Sequence, residues 1–149
     1  MTFFVVPLLV YILDRITKVL VVKNIVQGES VALIPNIFHI TLVHNNGTAF
    51  GLFKDQNIPL TWLSLVVIIF IISYIWKKRQ DTTWSVSLAL GLILGGALGN
   101  LTDRIRLGYI IDFIDFRIWP VFNIADSAIT IGLIILAWKI VTSRCIQSS

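Results

Sequence analysis

Residues 56–76 and 82–102 each run for 21 positions without a charged side chain. In hydrocarbon every backbone N–H and C=O must be satisfied within the chain, and a helix of about 20 residues does this across one bilayer. Two such runs in 149 residues leave room for four spans, short loops and no separate soluble domain. Charged residues make up 13% of the chain, about half the usual ~25%. That balance excludes a disordered chain and an ordinary soluble enzyme.

Two further spans complete the pattern. The first, about Phe3–Val22, is interrupted by Asp14, Arg15 and Lys18, and the last, about Pro120–Thr142, carries Asp126 near its start. The reading is one integral-membrane domain over residues 1–149, all-α, with spans near 3–22, 58–76, 83–102 and 122–142. The N-terminal run lacks a preceding basic stretch and a following small-residue cleavage site, so it is expected to be retained. The lone Cys145 forms no internal disulfide. A net charge of +4 without a basic stripe gives no footprint for nucleic acid.

Lys77, Lys78 and Arg79 crowd the short connection between spans two and three, and Lys139 and Arg144 share their side. The other side holds Lys23, Lys54, Arg104, Arg106 and Arg117, so the counts tie. The dense cluster, lying against the membrane, favours cytoplasmic termini. Parity holds in either orientation. The end of span one, the start of span two, the end of span three and the start of span four share one face. Asp14, Lys18, Asn100, Asp103, Arg104, Asp112, Asp115, Asn123 and Asp126 all gather there.

About 35 residues separate spans one and two. Val31–Ile34 and Ile37–Val43 are β-branched and aromatic around a Pro35-Asn36 turn, predicting a small sheet or hairpin at the membrane surface. Asn46-Gly47 signals another turn, followed by a short strand at Ala49-Phe50-Gly51. His39 and His44, five residues apart, are expected on opposite strand faces, which disfavours a metal site.

Asp14 and Lys18 share a helix face at i,i+4. They form a structural ion pair or a support for a nearby site, or Asp14 takes a direct catalytic part. Gly91, Gly95 and Gly99, with Gly96 alongside, allow close helix approach. Asp112 and Asp126 are 14 residues apart, and the returning loop can set them side by side. Two such carboxylates share one proton, and between them activate a water and protonate a leaving amine. Alternatively, Asp126 caps span four and Asp112 is a solvated loop acid paired with Arg104 or Arg106.

The run Gly95-Gly96-Ala97-Leu98-Gly99-Asn100-Leu101-Thr102-Asp103-Arg104, continued through Gly108 to Ile111-Asp112-Phe113-Ile114-Asp115-Phe116, resembles the signature of bacterial lipoprotein signal peptidase, or signal peptidase II. Phe122-Asn123-Ile124-Ala125-Asp126-Ser127 resembles that family's second signature. Asp14-x-x-x-Lys18 and Asn45-Asn46-Gly47-Thr48-Ala49-Phe50-Gly51 are similar to its N-terminal motifs. Thr48 stands where Ala or Ser is frequent, Asp115 adds a competing acid, and the connection from Asp112 to Asp126 is short for the family.

The resemblance implies a four-span aspartic endopeptidase of the bacterial cytoplasmic membrane, with cytoplasmic termini, an extracytoplasmic site and a small β-cradle. It implies cleavage of diacylglyceryl-modified prolipoproteins just before the lipidated cysteine, and inhibition by globomycin. By the resemblance, Asp112 and Asp126 are catalytic, and Asp14, Lys18, Asn45, Gly96, Asn100, Arg104 and Asn123 are supporting or substrate-binding. No metal or cofactor is implied. The expected partners are lipidated substrate and membrane lipid, with the chain acting as a monomer. The competing classes are a small proton or solute carrier, since ionisable residues in spans mark ion paths, and a non-catalytic membrane subunit.

Overall fold

The computed structural model describes residues 2–47, 57–78 and 82–147. The expected short strand at 49–51, and Thr48, lie outside them. In chain order the elements are α1 (Thr2–Asn24), β1 (Ser30–Ile34), β2 (Phe38–Asn45), α2 (Asn57–Lys78), α3 (Trp84–Leu107), β3 (Ile110–Asp115) and α4 (Ile124–Gln147). Among the described residues α2, α3 and α4 are long and apolar enough to cross a membrane. The fourth helix, α1, carries the interrupting charges. Its outward side chains are apolar nonetheless: Phe4, Leu8, Leu9, Ile12, Leu13, Ile16 and Leu20 are all exposed.

α3 is the central helix, packing against α1, α2 and α4. Its glycines explain how. A Cβ at Gly91 would fall 2.9 Å from Val6, one at Gly95 2.7 Å from the Pro7 carbonyl oxygen, and one at Gly99 2.7 Å from Asp14. The four-residue repeat is therefore the seat of α1. Gly96, one position round the helix, meets α4 at Ala125 and Ile129. The small residues thus serve two neighbours. On the α2 side, Ile68, Ile71 and Ile75 interlock with Leu90, Leu94, Ala97 and Leu101 in an apolar core.

The expected hairpin is present: β1 and β2 pair antiparallel around a turn in which Asn36 has φ 62°. The chain adds a third strand where the sequence pattern predicts a loop. α3 runs past its predicted end to Leu107. There Gly108 takes φ 83° and its N–H closes on the Arg104 carbonyl, a left-handed helix stop. Two residues later β3 begins and joins the sheet in the order β1-β2-β3.

The register of β2 against β3 slips by one residue between Ile40 and Val43. His39 stands opposite Asp115 and His44 opposite Ile111. Since Asp115 and Ile111 are four apart on β3, the slip turns the two histidines to the same sheet face. The expected opposite placement is overturned by this extra residue, which inverts the two-residue alternation. The described residues contain no group of ligands suited to a metal ion.

Candidate active site

The polar residues converge on one end of the bundle, in two adjoining clusters. The first lies among α1, α3 and the start of β3. Lys18 Nζ is 3.1 Å from Asp14 Oδ2, 2.7 Å from Asp103 Oδ2 and 3.2 Å from Asn100 Oδ1, so its three protons are all engaged. Arg15 reaches Asp14 Oδ2 at 2.8 Å and Asp103 Oδ1 at 2.7 Å. Asp14, Lys18 and Asp103 are at most 1% exposed. Two anions are matched by two cations, the condition under which buried charge is tolerated.

This cluster also holds the backbone of the second. Asp14 Oδ1 accepts from the Ala125 N–H at 3.2 Å, and Asp103 Oδ2 from the Ile111 N–H at 3.3 Å. Each of those residues immediately precedes a carboxylate of the expected pair. Gly96 admits the backbone of Ala125 from the other side.

The second cluster contains Asp112 and Asp126, and its hydrogen bonds come from amides. Asn45 Nδ2 donates to Asp112 Oδ2 at 2.8 Å and Asn123 Nδ2 to Asp112 Oδ1 at 2.6 Å. Asn100 Nδ2 donates to Asp126 Oδ1 at 2.7 Å, and the Asn123 backbone N–H to Asp126 Oδ2 at 3.4 Å. Asn123 is thus hydrogen-bonded to both carboxylates, and Asn100 links Asp126 to Lys18.

Local structure explains the convergence. Val43 stands opposite Asp112, which puts Asn45, two residues along, in the diagonal position. Asn123 Oδ1 accepts from the Asp126 N–H at 2.9 Å while Asp126 accepts from the Asn123 N–H. That is a capping box with Asn123 as the N-cap and Asp126 three residues on. The helix cap considered for Asp126 therefore belongs to Asn123. A single-residue bridge between Ile114 and Phe122 closes the loop that returns α4 to β3.

Asp112 is 1% exposed, inside the sheet, and none of the described ion pairs includes it. The alternative of a solvated acid paired with Arg104 or Arg106 does not hold. Burial, and then the neighbouring Asp126 carboxylate, push the Asp112 carboxyl up to about 7, against the hydrogen bonds of Asn45 and Asn123 and the field of Lys18. Arg104 turns toward α2, donating to Ser64 Oγ at 3.3 Å, within Coulombic range of Asp126 and Asp112. Asp126 is partly open and lines a cavity of about 380 Å³ with Phe116, Trp119, Phe122, Ser127, Thr130 and Ile131.

The profile of the family described as Signal peptidase (SPase) II matches residues 6–142. The chain belongs to the signal peptidase II family. It is 45% identical over 139 residues to the lipoprotein signal peptidase of Halothermothrix orenii, covering 91% of this chain and 94% of that one. Identity to the lipoprotein signal peptidase of Moorella thermoacetica is 44% over 140 residues, covering 94% and 93%. Two solved structures described as bacterial membrane enzymes are similar throughout. One gives a TM-score of 0.90 at 31% identity, covering 96% of this chain and 89% of the other. The second gives 0.84 at 32%, covering 93% and 92%. The protein is thus a membrane protein of a peptidase family.

For this signal peptidase II chain, Asp14, Lys18, Asn45, Asn100, Asn123, Asp112 and Asp126 form one hydrogen-bonded assembly, with Gly96 beneath it and Arg104 at its edge. Arg15 and Asp103, which no motif singles out as site residues, belong to the assembly's ion cluster. Asp103 had a usable signal: it lies three residues after Asn100, on the same helix face. The second acid on β3, Asp115, is bound separately by Thr41 at 2.7 Å and by the Arg117 N–H at 2.8 Å.

Proposed function

We propose that the protein is an aspartic endopeptidase that removes the signal peptide from diacylglyceryl-modified prolipoproteins, cutting just before the lipidated cysteine. The observation that carries this reading is the Asp112–Asp126 assembly, buried at Asp112 and open to a cavity at Asp126, held by neutral amides rather than by cations. Two acids in that setting hold a single proton between them. One takes a proton from water as the oxygen attacks the scissile carbonyl carbon. The other gives its proton to the carbonyl oxygen. Collapse of the tetrahedral species passes a proton to the leaving nitrogen and frees the amino group of the lipidated cysteine.

Supporting roles follow from the contacts. Asn45, Asn100 and Asn123 fix the carboxylate orientations, and Asn123 couples the two. Lys18, with Asp14, orders α1 against α3 and reaches the pair through Asn100. Gly96 lets α4 approach closely enough to present Asp126. Arg104 supplies positive potential at the site's edge. The apolar cavity beside Asp126 suits the substrate's uncharged residues next to the cut. We assign all four helices as spans, with cytoplasmic termini and the site at the extracytoplasmic surface, where water meets the acyl chains. A proton carrier is disfavoured by the α2–α3 core, whose described members are all apolar.

The test is a gel-shift cleavage assay with purified protein, a diacylglyceryl-modified prolipoprotein and the same precursor without lipid. The expected result is cleavage of the lipidated form alone, blocked by globomycin and absent in Asp112→Asn and Asp126→Asn. Equal cleavage of both precursors contradicts the assigned substrate, and full activity in either variant contradicts the pair.

A further inference from the structure

Behind the ion cluster, on the side of α1 facing β3, lies a second cavity of about 330 Å³. Its lining combines Val19, Val22 and Leu107 with the cations Arg15, Lys18, Lys23 and Arg106 and one acid, Asp103. The α1 contribution repeats at helical spacing, from Arg15 through Lys18, Val19, Val22 and Lys23, so one face of α1 forms a wall. The opposite wall is the end of α3 and the start of β3, with Tyr109 and Ile111.

Charge is unbalanced here. Asp14 and Asp103 are matched by Arg15 and Lys18. Among the described ion pairs neither Lys23 nor Arg106 has a partner, and both are exposed. The carboxyl ends of α1 and α3 carry at most roughly half a negative charge each, and water screens them. Arg15 also keeps a buried Nε–H without an acceptor. The cavity therefore has unmatched cations at its mouth, an unmet donor in its wall and aliphatic side chains beside both. It sits at the carboxyl ends of α1 and α3, which the topology proposed above puts at headgroup depth.

We propose that this cavity is a binding site for the headgroup of an anionic phospholipid. The phosphodiester is held by Lys23 and Arg106, and the first acyl carbons lie along Val19, Val22 and Leu107. Basic pockets between membrane helices recognise anionic headgroups by this combination. A bound lipid braces α1 against β3, and so steadies the scaffold of the carboxylate pair without touching it. The site stands independently of the assigned reaction, because it is read from lipid binding and stability rather than from cleavage.

Native mass spectrometry and thermal unfolding in neutral detergent test it, with phosphatidylglycerol, phosphatidylcholine and soluble glycerol 3-phosphate as separate probes. Phosphatidylglycerol is expected to be retained and to raise the unfolding midpoint, and the other two are not. Lys23→Gln combined with Arg106→Gln is expected to weaken retention about tenfold. Both side chains are exposed, so the double variant keeps its fold. A matched control, Lys77→Gln with Lys78→Gln in the far basic cluster, is expected to bind as wild type does. Equal binding of phosphatidylcholine overturns the proposal, as does wild-type retention in the Lys23/Arg106 variant. Equal loss in the control reduces the effect to net charge and overturns it too. Stabilisation by glycerol 3-phosphate alone makes this a soluble-phosphate site and refutes the lipid.

Discussion

Asp14 and Asp103 are hydrogen-bonded to the residues just before Asp126 and Asp112, in the same end of the same bundle. The first two are answered by Lys18 and Arg15. The second two are answered by Asn45, Asn100 and Asn123. Burial is shared by Asp14, Asp103 and Asp112, so depth does not separate the clusters. The partners do. A cation within hydrogen-bond reach stabilises the charged carboxylate and makes the acid a fixed strut. An amide orients a carboxylate but cancels no charge, so a pair held this way keeps a proton to exchange. The struts in turn hold the proposed catalytic pair, through the Ala125 and Ile111 N–H groups.

Breaking the second cluster is predicted to cost activity alone. Asp112→Asn and Asp126→Asn each lower single-turnover cleavage by at least about 1,000-fold, with unfolding midpoints at or above that of wild type. Breaking the first costs stability. Lys18→Met leaves two buried anions short of a cation and destabilises by about 3–5 kcal/mol, read by thermal unfolding in detergent. A dyad variant that unfolds, or a Lys18 variant as stable as wild type, breaks the distinction.

Asn123→Ala sharpens it, because this residue touches both acids and caps α4. Cleavage is expected to fall about 100-fold, with a loss of about 1–2 kcal/mol from the cap. The pH dependence of stability gives a signed version. A carboxyl raised from its ordinary value near 4 to about 7 favours the native state while protonated. That contribution is complete below pH about 4 and is lost as pH rises through about 7. Asp112→Asn escapes the loss, so the variant gains on wild type between about pH 4 and 7, by at most a few kcal/mol. The smallest effect belongs to Asp115, whose partner Arg117 is half exposed. Asp115→Asn is expected to shift stability by no more than about 1 kcal/mol.

Much of this was legible in the residues. Span length and parity predict the polar groups together, and the structure gathers them at one end of the bundle. The glycine repeat marked a helix contact, and Pro35-Asn36 marked the hairpin. What escaped depended on contacts remote in sequence. Ile110–Asp115 reads as loop until β2 offers an edge. Asp103 is expected on the shared polar face, but its ion pair with Lys18 forms only when α1 packs on α3. The face of His44 depends on one inserted residue in β2, which no alternation pattern reveals. The Asn123–Asp126 capping box has a local signal, and the competing role assigned to Asp126 concealed it.

The most direct test of the division between struts and reactive acids is infrared titration of the carbonyl stretch of protonated carboxylic acids, on purified protein in detergent. Wild type is predicted to show a buried protonated carboxyl at pH near 6 that disappears as pH rises through about 7. The band is predicted to be lost in Asp112→Asn. Absence of the band in wild type, or its survival unchanged in Asp112→Asn, contradicts a proton shared by Asp112 and Asp126.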